Sequence, residues 1–471
     1  MRPIRIPCLL ALFVASVAAL PLHAQDRASW STLIASAYLD NASYSFLQRI
    51  CDEAGGRMVG SADNERALAI LTTEMAKHDC TVRLERFRFP GFVRGDDVVE
   101  ILEPLSRKLR AVALGNVDAS PRIEATLVYA KEGREDSYGG LDVHGKIVLV
   151  TQEHVAGQPE FLRSEAIAIA SAKKAKAILF IKDTPGGTTL AGMANFQGTP
   201  CPIPAFSLTF EEGKWLQRLC DAGKSVRIGI TTRSAMRELE TANAVVTLPG
   251  ASTKKLVIGA HFDAWDVGQG AVDNGIGTAI LFDVARLLKR YSPNNALTVE
   301  CVWFNGEEIG LDGSKKYMEL HDKDSIVAMI NMDMTGSPTS FSAGGTDALL
   351  PFLEKLAKDL NGFSISPAIG NTAGTNSDHQ PFMLHGIPTI AVWGKLDPEM
   401  VKNYHDLGDS FDKVSKRYLS DAAAVVSVLA RELANTTTLS LRRRSAAETV
   451  EFLKKQGLED RLRRQKEWIF E

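Results

Sequence analysis

The stretch LVIGAHFDAWDVGQGAVDNGIGTAILFDVARLLKRY, residues 256–291, decides the fold. It begins with a short apolar run that leads to His261 and continues through a glycine-rich loop at residues 268–277. The apolar residues that follow the loop recur with the period of a helix. An apolar run, a loop and an amphipathic helix in this order are typical of α/β proteins. The stretch therefore predicts a buried strand that carries His261 to the edge of a sheet.

The same alternation of strands and helices continues toward the C-terminus. Apolar runs predict buried strands at residues 297–304, 326–334 and 387–393, and helical periodicity predicts helices at residues 349–360 and 419–433. Such alternation indicates a mostly parallel central sheet that is flanked by helices on both faces. The strongly charged end of the chain is interpreted as an exposed helix.

A chain of 471 residues is long for one hydrophobic core, so we expect two domains. Short strands and helices alternate again between residues 121 and 235, which predicts a smaller inserted α/β domain. The insert divides the main domain into an N-terminal part and a larger C-terminal part. The predicted limits are residues 1–24 for a signal peptide, 25–120 and 236–435 for the main domain, 121–235 for the insert, and 436–471 for the charged helical tail.

The N-terminus predicts export. Arg2 and Arg5 precede an apolar run from Leu9 to Leu20, and small residues around Ala24 suit a processing site. The run is shorter than the roughly 20 residues that a membrane span needs. We therefore expect a periplasmic or secreted protein with no membrane attachment after cleavage. The net charge of −3 gives no basic excess, which argues against a nucleic-acid partner.

Polar side chains cluster where the predicted strands end, which is where open α/β sheets bind ligands. Imidazole nitrogens and carboxylate oxygens are ligands that zinc accepts readily. Any one such residue is more often structural, but two adjacent acids directly after an apolar strand are unusual unless a cation lies nearby. Six side chains make up this set: His261, Asp273, Glu307, Glu308, Asp333 and His405.

Four segments resemble the metal-site segments of the dizinc aminopeptidase and glutamate carboxypeptidase family. They are GAHFDAWDVGQGAVDNGIG at residues 259–277, FNGEEIGLDGS at 304–314, NMDMTG at 331–336 and YHDLGDSFDKV at 404–414. The inserted region is similar to a protease-associated domain. The resemblance covers most of the chain between the signal peptide and the charged tail.

The resemblance implies two zinc ions in each chain. His261 and Asp333 would hold one zinc, and Glu308 and His405 would hold the other. Asp273 would bridge the two ions.

It also assigns supporting roles. Glu307 would be the general base, Asp263 would orient His261, and Asp409 would support the site from behind. A cis peptide bond between Asp273 and Asn274 is implied as well.

The implied activity is hydrolysis of short peptides, chiefly dipeptides with two free termini, by a carboxypeptidase or dipeptidase. Ser377 and His379 are candidate substrate contacts. The carboxylate of such a substrate needs a donor in the cleft, and hydroxyl and backbone groups at residues 372–377 are candidates. No arginine near the motifs stands out as a clamp for a carboxylate, so a strong preference for C-terminal glutamate is not predicted. The segment around Ser377 looks more like the aminopeptidase branch, which leaves an aminopeptidase as the alternative. The resemblance favours a homodimer.

Two further alternatives differ in chemistry. A glutaminyl cyclase would share the fold but use one zinc and lack the insert, so the complete ligand set argues against it. A non-catalytic binding protein need not keep a general base, so Glu307 argues against that function.

Overall fold

The structure is a computed structural model that describes residues 22–40, 42–152, 160–196, 198–436 and 439–471, with side chains from Trp30 onward. The helices are α1 (Leu22–Leu39), α2 (Ala42–Glu53), α3 (Ala62–Ala76), α4 (Arg163–Ala172), α5 (Phe210–Asp221), α6 (Ile276–Tyr291), α7 (Asp312–Leu320), α8 (Leu350–Asp359), α9 (His379–Leu384), α10 (Pro398–Lys402), α11 (Lys416–Asn435), α12 (Ala446–Lys455) and α13 (Glu459–Arg464). The strands are β1 (Val82–Val93), β2 (Val98–Glu103), β3 (Arg107–Lys108), β4 (Ala111–Ala113), β5 (Ser120–Tyr129), β6 (Ile147–Thr151), β7 (Ala177–Ile181), β8 (Ala205–Leu208), β9 (Arg227–Thr232), β10 (Ala235–Leu248), β11 (Ser252–His261), β12 (Leu297–Phe304), β13 (Ile326–Asn331), β14 (Ser337–Ser342) and β15 (Thr389–Lys395).

The larger core is built on a mostly parallel sheet. Among the described residues this sheet has seven strands in the order β1-β10-β12-β11-β13-β15-β14. Its centre, from β12 to β15, is parallel, and β1, β10 and β14 pair antiparallel at its edges. Side chains of β11 alternate between the faces, as a strand requires. Leu256 and Ile258 pack with α6 and α11, whereas Val257 packs with Tyr317 of α7 and Phe382 of α9.

A second sheet forms the insert. Within the described part of the chain it has eight strands in the order β3-β2-β9-β5-β6-β7-β8-β4, with β5 to β8 parallel. Helices α4 and α5 cover its two faces, where Ile167 and Leu216 are buried. The sheet begins at Val98, so it uses residues that the sequence analysis placed in the main domain. The domain limits themselves stay a prediction.

The predicted fold class is confirmed: a mostly parallel sheet is flanked by helices, and a smaller α/β unit is inserted. The charged tail was predicted wrongly as one exposed helix. It forms α12 and α13, and Leu453 and Leu462 are fully buried beside Met383 of α9. The tail is so rich in arginine and lysine that its few apolar residues did not predict a buried face. These residues become buried only because the tail packs against α9.

The predicted signal peptide lies outside the described residues, except for its last three positions. Among the helices that the structure describes, none is long and apolar enough to cross a membrane.

Candidate metal centre

Three parallel strands bring His261, Glu307 and Asp333 of the predicted site to one edge of the main sheet. β11 ends at His261, β12 ends three residues before Glu307, and β13 ends two residues before Asp333. Because neighbouring parallel strands end on the same side, the polar residues that follow them share one crevice. The strand predicted at residues 326–334 is shorter in the structure, where β13 ends at Asn331, and Asp333 lies in the loop beyond it.

Asp273 lies between the two histidines. Its Oδ1 is 3.1 Å from Nε2 of His261, and its Oδ2 is 2.9 Å from Nε2 of His405. On the first side, Asp333 Oδ1 is 3.5 Å from Nε2 of His261. On the second side, Glu308 Oε2 is 3.0 Å from Nε2 of His405. The five side chains thus form two groups that share Asp273.

The protonation of both rings suits metal binding. Nδ1 of His261 is 3.1 Å from the carbonyl oxygen of Asp263, and Nδ1 of His405 is 3.0 Å from that of Ala191. A carbonyl oxygen only accepts, so Nδ1 carries the proton in each ring, and Nε2 faces the carboxylates. Such an arrangement is typical of metal-binding histidines. An unprotonated Nε2 and a carboxylate oxygen repel each other at these distances, so either a metal ion or an additional proton must lie between them.

The electrostatics of the metal-free chain point the same way. Burial raises the pKa of Glu308 to about 7. Burial alone would lower the pKa of His405, but the carboxylates of Glu308 and Asp273 outweigh it and raise that pKa to about 10. The buried Oε1 of Glu308 has no hydrogen-bond partner among the described residues. One ligand atom each from His261, Asp273 and Glu308 lie within 4.8 Å of one another. These donors fit a bound zinc.

The carboxylate of Asp263 binds the backbone of Glu307 and Glu308 and does not reach His261. Its carboxylate accepts the backbone N–H groups of Glu307 at 3.2 Å and Glu308 at 3.3 Å. The carboxylate is 3.8 Å from Nδ1 of His261, which is beyond hydrogen-bonding distance, and the main-chain oxygen takes that position instead. Asp263 therefore orients His261 through its backbone and fixes the Glu307–Glu308 turn through its side chain.

Asp409 supports the loop that carries Asp273. Its two carboxylate oxygens accept the N–H groups of Val272 at 2.7 Å and Asp273 at 3.0 Å. The peptide bond between Asp273 and Asn274 is cis, which confirms the prediction.

Asp409→Asn is expected to weaken metal binding by about 10–100-fold, because an amide offers only one acceptor to these two N–H groups. Competition with a chromophoric chelator measures the affinity. Asp412→Asn, which neutralises an exposed carboxylate on the same loop, is the matched control. Equal affinities in the two variants would contradict the role given to Asp409.

The insert holds the loop of the second histidine. Besides the bond from Nδ1, the backbone oxygen of His405 accepts the N–H of Ala191 at 3.0 Å. The next residue, Asp406, accepts the N–H of Thr189 at 2.7 Å and its hydroxyl at 2.8 Å. A residue in a metal-ligand position thus depends on a domain that contributes no predicted ligand.

Ser377 and His379, the candidate substrate contacts, form hydrogen bonds with other protein groups, and their contact with substrate stays a prediction. The hydroxyl of Ser377 donates to Asp333 Oδ2 at 2.8 Å and accepts from Asn331 at 2.8 Å. Nε2 of His379 is 3.2 Å from the carbonyl oxygen of Gly374. Both positions lie beside the cavity, whose described lining includes their neighbours Asn376 and Gln380 instead. We assign Ser377 to positioning Asp333.

A cavity of about 650 Å³ opens beside the metal centre. It is bounded by the main sheet edge, by the insert and by the end of the chain. Two residues that the sequence analysis missed line it, Tyr404 and Arg163. Tyr404 stacks on His405 with ring centroids 3.7 Å apart, and its place next to a predicted ligand is its signal in the sequence. Arg163 begins helix α4 and has no signal in the sequence.

Comparisons with known proteins agree with this architecture. Residues 243–430 match the family model of peptidase family M28, and residues 123–216 match that of the PA domain. Carboxypeptidase Q from Bos taurus is 25% identical over 407 residues, which cover 84% of this chain and 86% of the relative.

Two solved structures have the same fold. A peptidase M28 precursor from Shewanella amazonensis SB2B has a TM-score of 0.77 and 21% identity, and the match covers 90% of this chain and 99% of that one. A zinc aminopeptidase from Bacillus subtilis has a TM-score of 0.69 and 21% identity, covering 87% and 98%.

Proposed function

Because the chain is a zinc exopeptidase of peptidase family M28 with an inserted PA domain, we propose that it hydrolyses dipeptides whose two termini are both free. The similarity to carboxypeptidase Q over most of both chains supports a carboxypeptidase or dipeptidase. The cavity beside the metal centre of this chain has a volume typical of small-molecule sites, which suits a substrate as small as a dipeptide.

The site would hold two zinc ions. His261 and Asp333 would bind one, Glu308 and His405 the other, and Asp273 both. The two groups of contacts that share Asp273 support this division.

Glu307 would act as the general base. It lines the cavity beside Glu308, and its backbone is fixed by Asp263. Zinc bound at this edge would lower the pKa of a bound water and polarise the scissile carbonyl. Glu307 would accept the proton from the attacking water and deliver it to the leaving amine. Tyr404, which stacks on His405, would form part of the cavity wall beside the bound substrate.

Arg163 is the observation that carries the choice of substrate. Its side chain lines the cavity, and no described residue lies close enough to form an ion pair or hydrogen bond with it, although Tyr404 and Asp183 attract its charge from farther away. Burial lowers its pKa to about 10, so the charge stands in unfavourable surroundings. A Cβ at Gly192 would lie 2.5 Å from its Nη1, so a side chain at this position would displace the guanidinium. A substrate carboxylate would supply the missing partner. Arg163 thus replaces the hydroxyl groups of residues 372–377 as the proposed carboxylate site.

Arg163→Gln is expected to lower kcat/KM for a dipeptide by roughly 10–100-fold, the effect of losing one charge-assisted hydrogen bond of about 1.5–3 kcal/mol. The same variant should barely change hydrolysis of the matching dipeptide amide, which lacks the carboxylate. Arg163→Lys keeps the charge and should retain part of the activity. An equal loss on both substrates would show that Arg163 does not bind the carboxylate.

A panel of free, N-blocked and C-blocked dipeptides tests the proposed function. Hydrolysis should become much slower, though still measurable, when either terminus is blocked. The alternative is an aminopeptidase, which the fold shared with the Bacillus subtilis enzyme keeps open. Rapid release of the N-terminal residue from long peptides or amides would establish that alternative.

We also propose export and a homodimer. Export rests on the N-terminal sequence, in which Arg2 and Arg5 precede an apolar run. N-terminal sequencing of the mature protein and light scattering test the two statements.

A further inference from the structure

The end of the chain forms the third wall of the cavity. Residues 446–471, named here the C-terminal wall, fold back on helix α9. Leu453 and Leu462 are buried against Met383 and Leu384, and Trp468 packs on the same cluster. This apolar contact attaches the wall to the main domain.

The C-terminal wall also reaches the insert. Arg464 forms a two-pronged ion pair with Glu165, with Nε 2.9 Å from Oε1 and Nη2 2.7 Å from Oε2. Arg461 is 3.4 Å from Glu160. The Arg464 and Glu165 side chains are only 23% and 30% exposed, so this pair is shielded more than most surface pairs. The wall therefore connects the two domains.

Three residues of the C-terminal wall line the cavity: Arg461, Gln465 and Glu467. The main domain fixes the positions of the last two. Gln465 donates to Asn376 at 2.9 Å, and Glu467 accepts from Lys315 at 2.8 Å. The wall is thus held from both sides at the cavity.

The contact with the insert lies beside the proposed carboxylate site. Glu165, which Arg464 binds, is two residues beyond Arg163 in the first turn of α4. A peptide that continued past a carboxylate site at Arg163 would need about 3.4 Å of further space for each added residue. The C-terminal wall, through the contact of Arg464 with Glu165, occupies the space next to Arg163.

We propose that the C-terminal wall limits the length of the peptide that the cavity accepts, and so makes the enzyme selective for dipeptides. This inference rests on the proposed function. The wall acts as a specificity element and contributes no group to the chemistry.

The test measures kcat/KM for a dipeptide, the tripeptide that extends it at the C-terminus, and the dipeptide amide. Arg464→Glu places two carboxylates against each other and detaches the wall from α4. The tripeptide-to-dipeptide ratio should then rise by roughly tenfold or more. Arg463→Glu is the matched control, because Arg463 pairs within the wall with Glu459. It should leave the ratio unchanged.

Glu165→Arg combined with Arg464→Glu restores the ion pair in reverse and should return the ratio to the wild-type value. A chain that ends at Gly457 removes the lining residues and should raise the ratio at least as far, provided that circular dichroism shows it folded. An unchanged ratio in Arg464→Glu, with hydrogen exchange showing α13 detached, overturns the proposal. The wild-type preference for the dipeptide over its amide tests the proposed function separately.

Discussion

Glu307→Gln is expected to keep its bound metal and to lose turnover by about 10²–10⁴-fold, the usual contribution of a general base. The glutamine has nearly the same shape but accepts no proton. In the metal-free chain, burial and the nearby acids hold the pKa of Glu307 well above its ordinary range. Bound cations would lower it again, toward a value useful for accepting a proton near neutral pH.

Its neighbour provides the control. Glu308→Gln changes the same functional group one residue away, but Glu308 is the residue whose oxygen lies 3.0 Å from Nε2 of His405. This variant should lose metal as well as activity. Elemental analysis of both proteins separates the roles, and loss of metal from Glu307→Gln would show that they are reversed.

Removal of metal is expected to abolish hydrolysis completely, and zinc is expected to restore it. One ligand atom each from His261, Asp273 and Glu308 lie within 4.8 Å of one another, and a bound cation would neutralise the two carboxylates of this set. Activity should rise with added zinc and reach its maximum at two equivalents per chain. Full activity in protein shown to be metal-free, or saturation at one equivalent, would contradict the two-zinc site.

Metal removal should also destabilise the fold, since an ion that binds only the folded chain stabilises it by mass action. Thermal unfolding with and without zinc measures this effect. Asp273→Asn, which alters the carboxylate shared by both groups, should reduce the stabilisation by zinc much more than Asp412→Asn.

The clustering of the candidate metal ligands could be predicted because its signals are local. His261 and Asp333 stand at or just after apolar strands, and parallel strands bring such positions together regardless of loop details. The support given by Asp263 was harder to predict. Its backbone carbonyl oxygen, and not its carboxylate, lies at Nδ1 of His261, while the carboxylate accepts the N–H groups of Glu307 and Glu308. That choice depends on the path of the Glu307–Glu308 turn.

The cavity could not be predicted in the same way. Arg163 and Ala191 belong to the insert, and Ala191 is 214 residues from His405 in the chain. Their proximity follows from how two domains pack, and no periodicity or spacing reports it. The C-terminal wall could not be predicted for a similar reason, because the apolar partners of Leu462 lie on a helix much earlier in the chain.

The reciprocal contact between Ala191 and His405 has a consequence for anyone who recombines these domains. The insert forms a separate sheet and looks like a module that could be exchanged among relatives. Yet the backbone carbonyl oxygen of Ala191 in the insert lies 3.0 Å from Nδ1 of His405, a proposed metal ligand, and fixes the orientation of that ring. A chimera that takes its insert from another protein should therefore fold and still bind metal poorly at that position. Residues 189–191 and 405–406 have to be transferred together, as a single functional unit split across two domains.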